Sequence, residues 1–213
     1  MKDILPHSTY FVTGIDTDAG KSIATGWISS QLLKEGVDVV TQKLIQTGCD
    51  GISEDIIVHR QVENRPLLDV DKDGTTCPLV FSYPCSPHMA TAIDNRPLEL
   101  EKAKESTKKL LSKYDKVLIE GAGGLMVPLS EDYLTVDYIK SEELPVILVA
   151  TAKLGSINHT LLTLEVLQKR EIPVALLVYN EGIATDDKIT AETRHYLETH
   201  VSAPLVVLPK LAI

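Results

Sequence analysis

The chain has few cysteines, no long apolar run and no surplus of positive charge, and each lack removes a class of protein. Among 213 residues there are three cysteines, Cys49, Cys77 and Cys85. Their odd number and the want of a C-x-x-C pair argue against a disulfide framework and read as reduced thiols. No segment reaches the ~20 apolar residues of a membrane span. The opening MKDILPHSTYFVTG places no long apolar stretch behind Lys2, so no signal peptide is expected. The 21 basic residues are outnumbered by 30 acidic ones, a net charge of −9. A surface of that sign repels phosphate backbones and anionic lipid, which excludes nucleic acid and membrane as expected partners. A cytoplasmic protein is the expectation, and a local basic pocket for a small anion remains compatible with it.

The length and a hydrophobic content of 44% suit one globular domain over residues 1–213. Tyr10–Thr13 reads as a first strand, and a helix is expected from Lys21 to Glu35. There Ile23, Trp27, Ile28, Leu32 and Leu33 recur at helical spacing, until Gly36 stops the run. Val37–Lys43 reads as a second strand and Asp55–Val62 as a short helix. Residues 64–98, with five prolines, read as irregular connection. A helix over Glu99–Lys113 precedes nearly continuous apolar strands at 117–119, 146–150 and 174–178, with another at 205–208. Strands apolar on both faces and separated by helices predict a single-domain α/β fold. Its sheet is mostly parallel with helices on both faces, and ligands sit at the carboxyl ends of the strands.

Gly14-Ile-Asp-Thr-Asp-Ala-Gly-Lys-Ser22 falls between the first strand and the first helix. Its Gly-Lys-Ser ending is a P-loop signature in the required strand–loop–helix setting, although the leading glycine lies one residue earlier than the strict pattern. Backbone N–H groups at a helix start, backed by the helix dipole, attract phosphate oxygens. Gly20 permits close approach, Lys21 adds a cation and Ser22 offers a hydroxyl to magnesium. ATP with Mg2+ is the expected ligand.

Three further residues stand at suggestive places. Glu120 ends a buried strand before Gly121-Ala122-Gly123-Gly124, where a carboxylate is costly to desolvate unless it meets a cation. Lys43 ends the second strand; alone it reads as a solvated edge charge, but one βαβ step after the P-loop it is placed to enter the same crevice. Asp55 suits a helix N-terminus as well as a metal. Ser86-Pro87-His88 is compatible with a simple proline turn.

Together GIDTDAGKS, KLIQTG at 43–48, Ser53-Glu-Asp55, CSPH at 85–88, VLIEGAGG at 117–124 and KLGSINH at 153–159 resemble the dethiobiotin synthetase family. The motifs run in the family's order, and EGAGG with KLGxINH is far more specific than the P-loop alone. The resemblance implies an ATP-dependent cyclo-ligase of biotin biosynthesis acting on 7,8-diaminononanoate and CO2 through a carbamate and its mixed anhydride with phosphate. It implies phosphate contacts from Asp18, Ala19, Gly20, Lys21, Ser22 and Ile23, and magnesium on Ser22, Asp55 and Glu120. Gly121, Ala122 and Gly123 would line the nucleotide. Lys43 and Lys21 would carry the catalytic charge, with Lys43 and Thr47 on the substrate; Thr47 stands where a serine is expected. Gly155, Ser156, Ile157 and Asn158 would hold the substrate's carboxylate across a homodimer interface. Asn180, Pro209, Lys210 and Leu211 match the adenine region, after which the chain stops sooner than expected.

Three alternatives share the motif. Amidoligase-like synthetases such as cobyrinate diamide synthase typically carry a glutaminase domain, for which 213 residues leave no room. A ParA/MinD-type ATPase switch carries a lysine directly after the first glycine, where this chain has Ile15. A small GTPase fits less well, because Asn180-Glu-Gly182 is not a base-reading N-K-x-D.

Overall fold

In the computed structural model, which describes residues 1–212, the apolar runs pair side by side as strands of a parallel sheet. In chain order the first elements are β1 (Thr9–Gly14), α1 (Lys21–Lys34), β2 (Val39–Lys43), β3 (Gln46–Thr47), α2 (Glu54–Glu63) and α3 (Asp69–Lys72). There follow β4 (Val80–Phe81), α4 (Pro87–Ile93), α5 (Leu100–Leu111), β5 (Lys116–Gly124) and α6 (Thr135–Ser141). The last are β6 (Val146–Thr151), α7 (Ser156–Lys169), β7 (Val174–Asn180), α8 (Asp187–His200) and β8 (Leu205–Leu208). Six strands form the main sheet in the order β2-β5-β1-β6-β7-β8, and β3 pairs with β4 apart from it.

Alternation along the strands builds two cores. Phe11, Val117, Ile119, Leu148 and Leu177 face one side, where Leu110 of α5, Ile139 of α6, Leu167 of α7 and Leu197 of α8 cover them. Tyr10, Val12, Leu118, Val149 and Val178 face the other, against Ala24, Ile28 and Leu32 of α1. Those three recur every fourth residue, so one stripe of α1 meets the sheet. Truncating fully buried Ile28 to alanine costs about 2–5 kcal/mol. Helix α2 packs on α1 rather than on the sheet centre, through a close approach at Gly26 where a Cβ would stand 2.9 Å from Val62.

The expected α/β architecture holds, with helices on both faces. Three local readings change. Glu120 does not follow its strand but lies within it, because β5 continues through Gly121 to Gly124 beside β1. Residues 64–98 are not wholly irregular; α3, β4 and α4 are too short for periodicity to disclose. Helices α6 and α8 had no anticipated counterpart, and α8 buries only Thr193 and Leu197, leaving a weak apolar stripe. The three cysteines are unbridged. No helix among the described residues is long and apolar enough to cross a membrane.

Candidate active site

Successive strands on either side of β1 bring their carboxyl ends to one crevice, where the chain turns into α1 through residues 15–20. Gly20 sits in the left-handed region at φ 82° and caps α1. A Cβ there would stand 2.3 Å from Asn180 Nδ2, so glycine is required by conformation and by space. The Asn180 carboxamide ties the loop to β7: Nδ2 donates to the Ala19 carbonyl at 3.0 Å, and Oδ1 accepts from Gly182 N at 2.9 Å. Lys21 folds back across the loop, its Nζ donating to the carbonyls of Asp16 and Thr17 at 3.1 and 2.9 Å. Burial, and secondarily nearby Lys43, hold its pKa below the ordinary lysine value. An anion arriving there relieves both effects.

Sheet register sets the second half of the site. Lys43 of β2 lies directly beside Glu120 of β5. Lys43 Nζ stands 2.8 Å from Glu120 Oε1 and 2.6 Å from Asp55 Oδ2, and donates to the Gly121 carbonyl at 3.0 Å. Ser22 Oγ lies 2.8 Å from Asp55 Oδ1 and 3.0 Å from Glu120 Oε1. The hydroxyl has one hydrogen and can donate to one of these oxygens at a time. Two carboxylates and a hydroxyl thus converge as hard oxygen donors, the set that suits Mg2+. Glu120 is 1% exposed. Burial raises its pKa, but Lys43 first and then His59 outweigh this and hold it well below the carboxylate range. Burial likewise opposes charge on Lys43, and Glu120 and Asp55 overcome it, holding the ammonium's pKa above its ordinary value.

The crevice has two chambers of about 430 Å³ each. One is lined by Asp18, Gly20, Lys21, Ser22, Lys43, Asp55 and Glu120. The other is lined by Pro84, Cys85, Ser86, Pro87 and Val127, a less charged wall. Thr17, Thr47, Ala122 and Gly123 line both, so ligands in the two chambers would be neighbours. Gly121 is required by contact, since a Cβ would lie 2.7 Å from the Phe11 ring.

The other expected residues are arranged as follows. Ala19 is buried and Ile23 half-buried beneath the loop. Pro209 and Lys210 are exposed beside the turn that follows Asn180, and Leu211 is half-buried. Gly155 caps α7, with Ser156, Ile157 and Asn158 in its first turn; none of the four lines either chamber. Sequence reasoning missed His59, which is fully buried and reaches Glu120 Oε2 at 2.6 Å. The available signal was its spacing: four residues after Asp55 on one helix, it shares that residue's face.

Residues 8–212 match the AAA-domain family. An ATP-dependent dethiobiotin synthetase of Pasteurella multocida (strain Pm70) is 50% identical over 192 residues, covering 90% of this chain and 90% of that protein. One of Chlorobaculum tepidum (strain TLS) is 44% identical over 186 residues, covering 87% and 78%. Among solved structures, the MinC:MinD cell division complex of Aquifex aeolicus overlays with a TM-score of 0.58 at 13% identity, covering 96% of this chain and 82% of that one. A ParA family ATPase from Chlorobium tepidum gives 0.54 at 16%, covering 95% and 83%. At such identities the likeness concerns the fold alone.

Proposed function

Because the chain belongs to the family of ATP-dependent dethiobiotin synthetases, we propose that it uses ATP and magnesium to carboxylate 7,8-diaminononanoate with CO2 and to close the ureido ring. One amine attacks the carbon of CO2 and loses a proton, giving a carbamate. A carbamate oxygen attacks the γ-phosphorus and ADP departs. The second amine then attacks the carbamoyl carbon and loses a proton, and phosphate leaves with its carbamate oxygen as the cyclic urea forms.

The observation that carries this reading is the shared wall of the two chambers. The triphosphate belongs in the chamber of Lys21 and Ser22, on the amides that open α1. The aliphatic diamine suits the chamber of Pro84, Pro87 and Val127, with Thr47 at the junction. Lys43, between them, offsets the repulsion of carbamate and γ-phosphate, two anions that must meet. Ser22, Asp55 and Glu120 would hold the metal, which when bound supplies charge neutralisation on the phosphates. Asn180 and the Pro209–Leu211 loop edge the side where adenine would lie. Catalysis is then positioning plus fixed charge.

A homodimer fits the same picture. Leu154, just ahead of α7, is 87% exposed, and Leu162 and Met126, 59% and 51% exposed, line one groove along that helix, which together offer an apolar face to a partner. A second copy would cover that face and bring Gly155–Asn158 to the neighbour's second chamber, where the N–H groups of Ile157 and Asn158 would meet a carboxylate; that of Ser156 already donates to the Lys153 carbonyl. Unbridged cysteines support the expected cytoplasmic setting. ADP release measured with each reactant omitted in turn tests the proposal. Release that needs both diaminononanoate and bicarbonate supports it, and steady hydrolysis without either supports a ParA-type switch instead.

A further inference from the structure

Glu120 has two carboxylate oxygens, and they face different ways. Oε1 meets Ser22 and Lys43 in the crevice, while Oε2 is 2.6 Å from His59 Nε2. His59 is fully buried, so it touches neither solvent nor substrate. Behind it, Nδ1 lies 2.9 Å from Thr41 Oγ1, and Arg60 Nη1 donates to the same oxygen at 2.9 Å. Donor matching assigns the hydrogens. A guanidinium only donates, so Thr41 accepts from Arg60 and has one hydrogen to give. Giving it to Nδ1 leaves Nε2 as the N–H, which donates to a carboxylate that only accepts. Arg60, Thr41, His59 and Glu120 then form a one-way chain with every atom satisfied.

The far end of the chain is also fixed. Arg60 pairs with Asp71 through Nε and Nη2, both at 2.9 Å. Thr76 donates its hydroxyl to Asp71 at 2.8 Å, and its carbonyl accepts the Lys43 N–H at 2.7 Å. The network therefore closes a loop from Glu120 back to Lys43. Helix α2 is seated by Gly26, where a Cβ would come within 3.1 Å of His59 Cα.

We propose that His59 is a positioning residue, held by Thr41 and Arg60, that pins Glu120 Oε2 so that only Oε1 faces the phosphate chamber. It acts through Glu120 and fixes the direction from which a metal and Lys43 are met. The inference rests on the reading of Ser22, Asp55 and Glu120 as the metal set. A leucine at position 59 keeps the packing but frees the carboxylate to rotate, whereas a glutamine keeps an N–H near the Nε2 position. An asparagine is too short to reach Glu120 and retains only the Thr41 side.

The test uses the full chain with His59→Leu, His59→Gln, His59→Asn and Glu120→Gln. Mn2+ binding in the presence of ATP, followed by electron paramagnetic resonance, is measured beside kcat and KM for the diamine. Losing an outer-shell partner typically weakens metal affinity or activity by about 10–100-fold. We expect His59→Leu and His59→Asn to lose about that much in Mn2+ affinity and kcat, with diamine KM within about 2-fold because no diamine contact is removed. His59→Gln should recover most of both. If leucine does not fold, the glutamine–asparagine comparison stands alone. Loss in Glu120→Gln with none in His59→Leu or His59→Asn overturns the proposal alone, as does asparagine equal to glutamine. Unchanged Mn2+ binding in Glu120→Gln overturns the metal reading, and the proposal with it.

Discussion

Replacing Lys43 with methionine keeps most of the side-chain volume and removes one charge from the centre of the crevice. Glu120, 1% exposed, and Asp55, 24% exposed at the side chain, then lose the cation they share. Removing one partner of a buried pair costs about 3–5 kcal/mol. Water reaches Asp55, so the lower end, about 3 kcal/mol, applies. For a domain of this size that lowers Tm by about 6–12 °C. The pH dependence follows from the signs. Lys43's pKa is raised, so its contribution is full below about pH 10, its ordinary value, and fades only as pH rises past the raised one. Glu120's is depressed, so its contribution is present above about pH 4 and fades as pH falls. The gap between wild type and variant should stay level from about pH 6 to 9 and shrink in acid. Calorimetric melting measures it, and Glu120→Gln added to Lys43→Met should restore stability by relieving the unpaired acid. Turnover should be lost while ATP still binds. A wild-type Tm in Lys43→Met, or a double variant no more stable than the single, would refute the reasoning.

Other consequences are as direct. Gly20→Ala strains a left-handed residue and drives a methyl into Asn180, so about 2–3 kcal/mol of stability and nucleotide affinity should go, read by melting and ATP titration. Shrinking Asn180 to alanine in the same chain should return part of the stability. Cys77 is 7% exposed and burial pushes its thiol up to about 12, so iodoacetamide at pH 8 should spare it in the folded protein and label it in urea, as peptide mass spectrometry will tell. Leu154→Asp should convert the expected dimer to monomer by light scattering and lower diamine affinity; an unchanged particle mass would remove α7 from the interface.

Much of this organisation was legible because it rests on local rules. The P-loop could be read from Gly20, Lys21 and Ser22 after an apolar strand, since helix-start amides and glycine freedom are short-range properties. The parallel sheet was legible because β5, β6 and β7 bury both faces and so carry continuous apolar runs. What escaped depends on contacts between distant segments. The pairing of Lys43 with Glu120 arises from strand register across 77 residues, and motif position only suggested it. His59 was hidden because its one local mark, the spacing from Asp55, does not disclose its partners, Thr41 and Glu120, which come from two other elements. Residues 64–98 read as irregular because α3 and α4 span 4 and 7 residues, too few to show a period.

The proposed chemistry requires a carbamate oxygen to attack ATP beside Lys43. Brief turnover with 18O-labelled CO2 in ordinary water, followed by mass analysis of the released phosphate, examines that step alone. One labelled oxygen per phosphate, in amount equal to the cyclic urea formed, is the predicted result. Unlabelled phosphate would mean that water or another group takes the phosphoryl unit, and would contradict the proposed chemistry.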